Sequence, residues 1–128
     1  MASIPIADTT VLIDWLRGHL GARALVRSVT ANGETLAGSV VSRLEVRSGS
    51  RPGEIATVER LFGVIRWAPV TAEIADLAGD YSRQYRRSHS SIGAMDYLVA
   101  ATAAALGAEL WTHNVRDFPM FPDLRAPY

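Results

Sequence analysis

Four carboxylates in this sequence follow short apolar segments at points where predicted strands end. Asp8 comes directly after one such segment, Glu45 follows a second, and Asp96 lies at the start of an apolar, alanine-rich run. Asp117 lies five residues beyond a final apolar segment. Carboxylates that share a site repel each other, and hard cations such as Mg²⁺ or Mn²⁺ relieve that repulsion. Two such ions can activate water for phosphodiester hydrolysis, so the pattern is typical of a metal-dependent phosphodiesterase.

Asp96 is the strongest of these candidates. It is the single charged residue between Gly93 and Ala108, and a helix that is apolar all round is normally buried. An isolated buried carboxylate is costly unless it is paired or bound to a metal. The helix dipole favours an anion in the first turn by only about 1 kcal/mol, which is too little to hold a buried charge. We therefore favour a functional role over the alternative, a structural ion pair.

The other three acids also have structural interpretations. Asp8 can cap the helix that follows it, and Asp117 can bond the backbone of a turn. Glu45 lies three residues after Ser42, which is the spacing of a capping box. Each structural role explains its residue at least as well as metal binding does when that residue is considered alone. The metal hypothesis therefore depends on the position of all four acids relative to the strands.

Alternating strands and helices must position these acids. The alternation favours an α/β sandwich with a mostly parallel sheet, formed as one domain over residues 1–128. Ligands bind at the carboxyl ends of parallel strands, so all four acids can face one edge of the sheet. Apolar runs predict strands at Ser3–Ala7, Thr35–Val41, Arg66–Val70 and Glu109–Thr112. Asp8, Thr9 and Thr10 are helix-starting residues before a predicted helix from Val11 to Gly18. Further helices are predicted from Gly21 to Gly33, Ser42 to Gly49, Gly53 to Ile65 and Thr71 to Arg87, and an alanine-rich helix follows Gly93 and ends at Gly107, before an irregular tail.

The composition limits the class of protein. The chain has 128 residues and no cysteine, which excludes disulfides and cysteine-ligated metal sites. Thirteen arginines balance thirteen acids, and this zero net charge argues against binding nucleic acid by bulk electrostatics alone. No apolar run reaches the ~20 residues of a membrane-spanning helix, and the first residues lack a signal-peptide pattern. We therefore expect a cytoplasmic protein that does not contact membranes.

Three stretches together resemble the PIN-domain ribonucleases, and more narrowly the VapC toxins of bacterial toxin–antitoxin pairs. They are Ala7–Gly18, Val40–Gly49 and Met95–Phe121, in an order and total length typical of that family. The third is the most specific, because an Asp-led helix and a strand precede the pattern Thr-x-Asn-x-x-Asp-Phe. The resemblance covers essentially the whole chain. It implies a PIN-like three-layer α/β/α sandwich and an endoribonuclease that depends on Mg²⁺ or Mn²⁺.

The resemblance also implies roles for individual residues. Asp8, Glu45 and Asp96 match the first three acidic positions of the family, as metal ligands and catalytic residues. At the fourth position this sequence has Asn114 where many relatives have aspartate, and Asp117 is the nearest carboxylate. Both are candidates, one acting directly and the other through water.

The resemblance further implies a substrate and partners. Relatives cut RNA, commonly tRNA or ribosomal RNA, and so inhibit translation; a cognate VapB-like antitoxin blocks the acidic site. A homodimer, within a larger toxin–antitoxin complex, is the usual state. Thr112 matches a hydroxyl near the site. Arginine binds phosphate through two parallel hydrogen bonds, and the candidate RNA contacts are Arg17, Arg86, Arg87, Arg116 and Thr112.

Three other functions remain open on the sequence. A housekeeping PIN-domain nuclease that processes RNA would carry the same residues. A catalytically silent interaction module on the same fold is kept open by Asn114. An aspartyl-phosphate phosphatase is suggested by Asp8 after a strand, but Thr10 stands where that chemistry usually has a second acid, and the chain has no lysine.

Overall fold

The structure, a computed structural model, describes residues 4–128 and contains a parallel sheet flanked by helices. The strands are Pro5–Ala7 (β1), Leu36–Ser39 (β2), Ile65–Ala68 (β3) and Glu109–Trp111 (β4). The α-helices are Thr9–Leu16 (α1), Leu20–Ala31 (α2), Val40–Gly49 (α3), Ile55–Gly63 (α4), Ala72–Tyr85 (α5) and Ala94–Leu106 (α6). Short 3₁₀ turns span Pro52–Glu54 and Val115–Asp117.

The sheet has the strand order β3-β2-β1-β4, and each neighbouring pair is parallel. The prediction of a mostly parallel sheet is confirmed. β1 lies inside the sheet, where Ile6 pairs with Ala37 on one side and with Leu110 on the other. Because all four strands run the same way, their carboxyl ends meet at one edge, as the sequence predicted.

The two faces of the sheet carry separate cores. Successive strand residues point to opposite faces, so Ala7 packs with α1, α2 and α4 while Ile6 packs against α6. Ala100 and Ala103 of α6 are fully buried against the sheet, and their small side chains allow close packing. α5 packs on α6 in turn. The result is the predicted three-layer α/β/α sandwich.

The boundary between β2 and α3 differs from the prediction. The predicted strand ran to Val41, but β2 ends at Ser39 and α3 begins at Val40 rather than at Ser42. The Ser39 hydroxyl accepts a hydrogen bond from the Val41 N–H at 3.2 Å, which caps the helix there. The two valines continue the apolar pattern of the strand in sequence, but this cap ends the strand.

The region from Gly53 to Val70 shows a similar shift. The predicted helix Gly53–Ile65 is divided into the 3₁₀ turn and α4, and Ile65 instead begins β3. Ile65 continues the helical spacing of apolar residues, but it pairs with Leu36 of β2 and is buried in the sheet. β3 therefore begins one residue before the predicted Arg66 and ends at Ala68.

The remaining bounds agree to within a few residues. The predicted first strand began at Ser3, which lies outside the described residues. Thr71 caps α5 as predicted, accepting the Ile74 N–H at 3.1 Å, and Gly107 ends α6 with a left-handed φ of 60°. The predicted irregular tail contains the second 3₁₀ turn. Among residues 4–128, no helix has both the length and the apolar character needed to cross a membrane.

Candidate metal centre

The Asp8 carboxylate is held from two sides at the edge of the sheet. Asp8 follows β1, is buried, and accepts hydrogen bonds at Oδ2 from Thr112 Oγ1 at 2.8 Å and Thr10 Oγ1 at 3.1 Å. Each hydroxyl also accepts a hydrogen bond from a backbone N–H. Thr112 Oγ1 accepts from Asn114 at 3.0 Å, and Thr10 Oγ1 accepts from His113 at 3.3 Å. A hydroxyl has one hydrogen, so accepting an amide leaves that hydrogen for the carboxylate.

The helix-cap interpretation of Asp8 is therefore wrong for its side chain. Asp8 occupies the N-cap position of α1, but its carboxylate makes no capping hydrogen bond. The threonine hydroxyls bind it instead, and its backbone N–H donates to Trp111 of β4 at 2.8 Å. Asp8 thus links β1 to β4 through both backbone and side chain.

Glu45 is positioned by a hydroxyl network from α1. Thr9 Oγ1 donates to Glu45 Oε1 at 2.7 Å and lies 2.9 Å from the hydroxyl oxygen of Ser42. Ser42 is fully buried. The capping-box interpretation of Ser42 and Glu45 is wrong, because α3 begins two residues earlier and Ser39 is its cap.

Asp96 lies in the first turn of α6 and is half-buried. The Gly93 N–H donates to its Oδ2 at 3.3 Å. The two salt bridges of the described residues join Arg17 to Glu54 and Arg47 to Glu59, so neither involves Asp96. The structural ion pair that we considered for Asp96 is thus not formed in this part of the chain.

The electrostatics couple the four acids. The pKa of Asp96 is raised to about 6, first by burial and then by the charges of Asp8, Asp117 and Glu45, while the Gly93 hydrogen bond opposes the rise. Burial likewise raises the pKa of Asp8, against the hydrogen bonds from the threonines, and the charge of Glu45 adds to the rise. The other three predicted acids therefore all lie within electrostatic range of Asp96.

The donor set fits a hard divalent cation. It consists of oxygen atoms alone, and the negative charge has no arginine partner within the described residues. In the positions that they hold here, no three acidic or histidine side chains of residues 4–128 converge closely enough to ligate one ion. An ion would therefore have to draw the carboxylates together, and its positive charge would offset their mutual repulsion.

The fourth ligand position, for which Asn114 and Asp117 are the candidates, is less constrained than the other three. Asp117 is half-buried at the end of the 3₁₀ turn, and its charge acts on Asp96. Asn114 is exposed and precedes the same turn, and its backbone bonds Thr112. No hydrogen bond within residues 4–128 fixes either side chain, so both stay candidates.

The candidate RNA contacts lie in different environments. Arg17 donates to the Glu54 carboxylate and to the Gly49 carbonyl, so its guanidinium is already occupied. Arg86 and Arg87 are exposed just after α5. Arg116 is exposed in the 3₁₀ turn beside Asp117, where it lines an open cleft of about 480 Å³. The structure thus places Arg116 in a cleft that Asp117 also lines, and it pairs Arg17 with Glu54.

Sequence reasoning missed the hydroxyls that position the acids. It assigned Thr9 and Thr10 to helix initiation, whereas Thr9 bonds Glu45 and Thr10 bonds Asp8. The available signal was the pair of threonines next to an acid at a strand end. Asp14 accepts a hydrogen bond from the Tyr128 hydroxyl at 2.7 Å. Nothing in the local sequence indicated that contact.

Comparison with known proteins identifies the class to which this fold and site belong. Residues 6–122 match the family model described as PIN domain. The match spans most of the sequence, and the chain belongs to the PIN domain family, as the resemblance of its motifs implied.

Within that family the chain is VapC-like. It is 46% identical over 123 residues to ribonuclease VapC19 of Mycobacterium tuberculosis, which covers 96% of this chain and 98% of the relative. It is equally identical to ribonuclease VapC10 of the same organism, over 96% of this chain and 92% of the relative. A toxin–antitoxin complex from Klebsiella pneumoniae contains a chain with the same fold, with a TM-score of 0.79, 23% identity, and coverage of 97% of this chain and 98% of that one.

Proposed function

We propose that this chain is an endoribonuclease toxin that hydrolyses RNA, tRNA or ribosomal RNA, with Mg²⁺ or Mn²⁺ as cofactor, and so inhibits translation. The carrying observation is the acidic edge of the sheet, where Asp8, Glu45, Asp96 and Asp117 share a site without a cationic partner in the described residues. The similarity to two proteins named ribonuclease supports RNA as the substrate.

The proposed roles follow from how each side chain is held. Asp8, fixed by two hydroxyls, and Asp96, anchored by the Gly93 amide, would be the principal ligands of the ion. Glu45 would be a third ligand, and Asn114 or Asp117 would complete the site. When bound, the ion would polarise the scissile phosphate and activate water.

This assignment needs no histidine, serine or cysteine nucleophile. Attack by water on phosphorus with departure of the 3′ oxygen would leave a 5′-phosphate and a 3′-hydroxyl, and the 2′-hydroxyl would take no part. A substrate with a single 2′-deoxy nucleotide at the cut site should therefore still be cleaved. A 2′,3′-cyclic phosphate on the products would contradict the proposed reaction.

The cleft beside Asp117 is the proposed path of the RNA. Its volume of about 480 Å³ lies within the range of roughly 300–1,000 Å³ that is common for ligand sites. The lining combines the Arg116 guanidinium with serine hydroxyls of residues 88–91 and the Phe121 ring. Guanidinium groups bind phosphate, and aromatic rings stack on unpaired bases. Arg116 would thus bind phosphate at this cleft, with Arg86 and Arg87, which directly precede Ser88 in sequence, as further candidate contacts.

We also propose an antitoxin partner. The similarity to the chain in the Klebsiella pneumoniae complex supports a toxin that is held by an antitoxin, and an antitoxin arginine placed among the four acids would neutralise them. A homodimer of this chain is the proposed state within that complex. Co-expression with the product of an adjacent small gene, followed by purification and light scattering, tests both proposals.

The decisive experiment is RNA cleavage by the purified protein with Mn²⁺, Mg²⁺ or EDTA, alongside the variants Asp96→Asn and Asp123→Asn. Asp123 is an exposed acid of the tail and provides the matched control. We expect cleavage with either metal, none in EDTA, none for Asp96→Asn, and wild-type rates for Asp123→Asn. Full activity of Asp96→Asn, or of the wild type in EDTA, would refute the metal-dependent mechanism.

A further inference from the structure

We propose that Tyr128, the last residue of the sequence, is a positioning residue for the candidate metal centre, because it holds His113 and thereby the segment Thr112–Asn114. The inference rests on the proposed function for its effect on catalysis. Its effect on the structure of the segment is independent of that function.

Tyr128 makes three specific contacts. Its hydroxyl donates to Asp14 Oδ2 of α1 at 2.7 Å. Its ring centroid lies 4.2 Å from that of His113 and 4.9 Å from that of His19, with tilted planes in both cases. These separations are those of favourable aromatic pairs. Tyr128 therefore bridges α1, the start of α2 and the segment that follows β4.

The first turn of α2 is shaped to receive the ring. A Cβ atom on Gly21 would lie 2.9 Å from Tyr128 Cδ1 and 3.0 Å from Tyr128 Cβ, closer than such atoms normally approach. Gly21 is helical, and alanine would stabilise a helix better than glycine does. The missing side chain is thus explained by the space that the ring occupies.

Hydrogen bonds connect the segment Thr112–Asn114, which the contact of Tyr128 with His113 holds (the Tyr128 clamp), to the Asp8 carboxylate. The His113 N–H donates to Thr10 Oγ1 at 3.3 Å, and the Asn114 N–H donates to Thr112 Oγ1 at 3.0 Å. Both hydroxyls donate in turn to Asp8. Displacing the segment would remove the two amides that set the direction of these hydroxyls.

Thr112 is fully buried, but the two residues after it have little else to hold them. β4 ends at Trp111, and the side chains of His113 and Asn114 are exposed. Burial, and then the hydrogen bond to Asp14, raise the pKa of the Tyr128 hydroxyl above its usual range, so the hydroxyl stays a donor at every working pH.

Amide hydrogen exchange by NMR tests the clamp directly in the full chain. We compare Tyr128→Ala, Tyr128→Phe and the tail control Arg125→Ala, whose side chain is exposed. In Tyr128→Ala the amides of His113 and Asn114 should exchange at least about tenfold faster, while amides of β1 and α6 keep their rates. Tyr128→Phe keeps the ring contacts and should retain most of the protection, and Arg125→Ala should match the wild type.

Catalysis supplies a second readout. At a temperature well below unfolding, Tyr128→Ala should lower kcat about tenfold or more with KM unchanged, as loss of support around a metal ligand does. Tyr128→Phe should recover most of kcat. A variant that was merely less stable would lose kcat only in proportion to its unfolded fraction.

A double-mutant cycle with Gly21→Ala tests the fit of the ring. Gly21→Ala alone should displace Tyr128 and speed the exchange of the His113 amide. In the Tyr128→Ala background the same change should have a much smaller effect on that rate, because the ring atom Cδ1 is gone although the Cβ atom of residue 128 remains. Equal effects of Gly21→Ala in both backgrounds would overturn the inference.

The two proposals fail in different ways. If Tyr128→Ala leaves the exchange of His113 and Asn114 at wild-type rates while Asp96→Asn is inactive, the clamp is refuted and the nuclease stands. If Asp96→Asn is fully active but Tyr128→Ala exposes the segment, the metal mechanism fails and the clamp stands.

Discussion

The two sides of the acidic site are built differently. On the side of Asp8, Thr10 and Thr112 bind one carboxylate oxygen, and both hydroxyls are oriented by backbone amides. On the side of Asn114 and Asp117, a three-residue 3₁₀ turn carries side chains that no hydrogen bond fixes within residues 4–128. One side is set before any ligand binds, and the other is free to adjust.

The difference assigns separate tasks to the two sides. A ligand that is already oriented loses less entropy on binding an ion, so the Asp8 side should set where the ion sits. The open side adjoins the cleft that Arg116 lines, so it should respond to the substrate. Substitutions on the Asp8 side should therefore have the larger effects on metal binding and on kcat. Substitutions on the side of Asn114 and Asp117 should change RNA affinity and lower kcat less.

The largest effect is expected at Asp8. Asp8→Asn keeps the shape but removes the charge at the fixed side, and losing several kcal/mol of metal-dependent stabilisation lowers kcat by about 10³-fold. Mn²⁺ titration by calorimetry should show the matching loss of affinity. A decrease in kcat smaller than tenfold would indicate that the principal metal ligand lies on the side of Asn114 and Asp117.

The second effect concerns the support of Asp8. Thr112→Val removes a buried hydroxyl at nearly constant volume and leaves the Asn114 amide without its acceptor. Loss of such an outer partner lowers metal affinity or activity by roughly 10–100-fold. Thr102→Val, at a buried threonine of α6 that bonds the Leu98 carbonyl, controls for the loss of a buried hydroxyl elsewhere.

Substitutions on the side of Asn114 and Asp117 should reduce activity less. Asp117→Asn is expected to lower kcat by roughly tenfold or less, and Asn114→Asp to tighten Mn²⁺ binding by adding a carboxylate. Steady-state kinetics and Mn²⁺ titration of both variants measure this. If Asp117→Asn is as damaging as Asp8→Asn, the contrast between the two sides is wrong.

The smallest effect is on stability, and it comes from Asp96. Its pKa is about 6 in the folded protein against 3.8 for the ordinary group, so between these values the folded state binds more protons than the unfolded state. The free energy of unfolding should fall as pH rises from 5 to 7, by the order of 1 kcal/mol after solvent screening. Calorimetry in EDTA should show Tm about 3 °C lower at pH 7 than at pH 5.

Asp96→Asn provides the control for this dependence. The variant should lose most of the decrease in Tm. In Mn²⁺ the sign reverses, because the ion binds the ionised carboxylate and adds stability as pH rises. An equal pH dependence in both proteins would show that Asp96 does not carry the effect.

The sequence predicted the architecture because its signals are local. Short apolar runs, helical spacing and caps such as Thr71 and Gly107 act over a few residues, so elements of the right type appeared in the right order. Boundaries failed where two signals overlapped. Val40 and Val41 suit a strand, but the Ser39 cap made them helical, and Ile65 suits a helix but pairs with β2.

The acids were also predictable from sequence, since each lies near a strand end or at the start of a helix, and parallel strands bring such positions to one edge. Their surroundings were not. Thr112 reaches Asp8 over 104 positions, Thr9 reaches Glu45 over 36, and Tyr128 reaches Asp14 over 114. No local pattern encodes such pairs, because they depend on how the layers pack.

The sequence by itself thus determined the order of strands and helices and the positions of the four carboxylates. These positions account for the charge of Asp96 without an ion pair. Only the tertiary structure decided how those carboxylates are held: Asp8 by oriented hydroxyls, Glu45 through Thr9, and Asp117 by none within residues 4–128. The physical reason is range. Secondary structure follows from neighbours along the chain, whereas the direction of a hydrogen bond follows from neighbours in space.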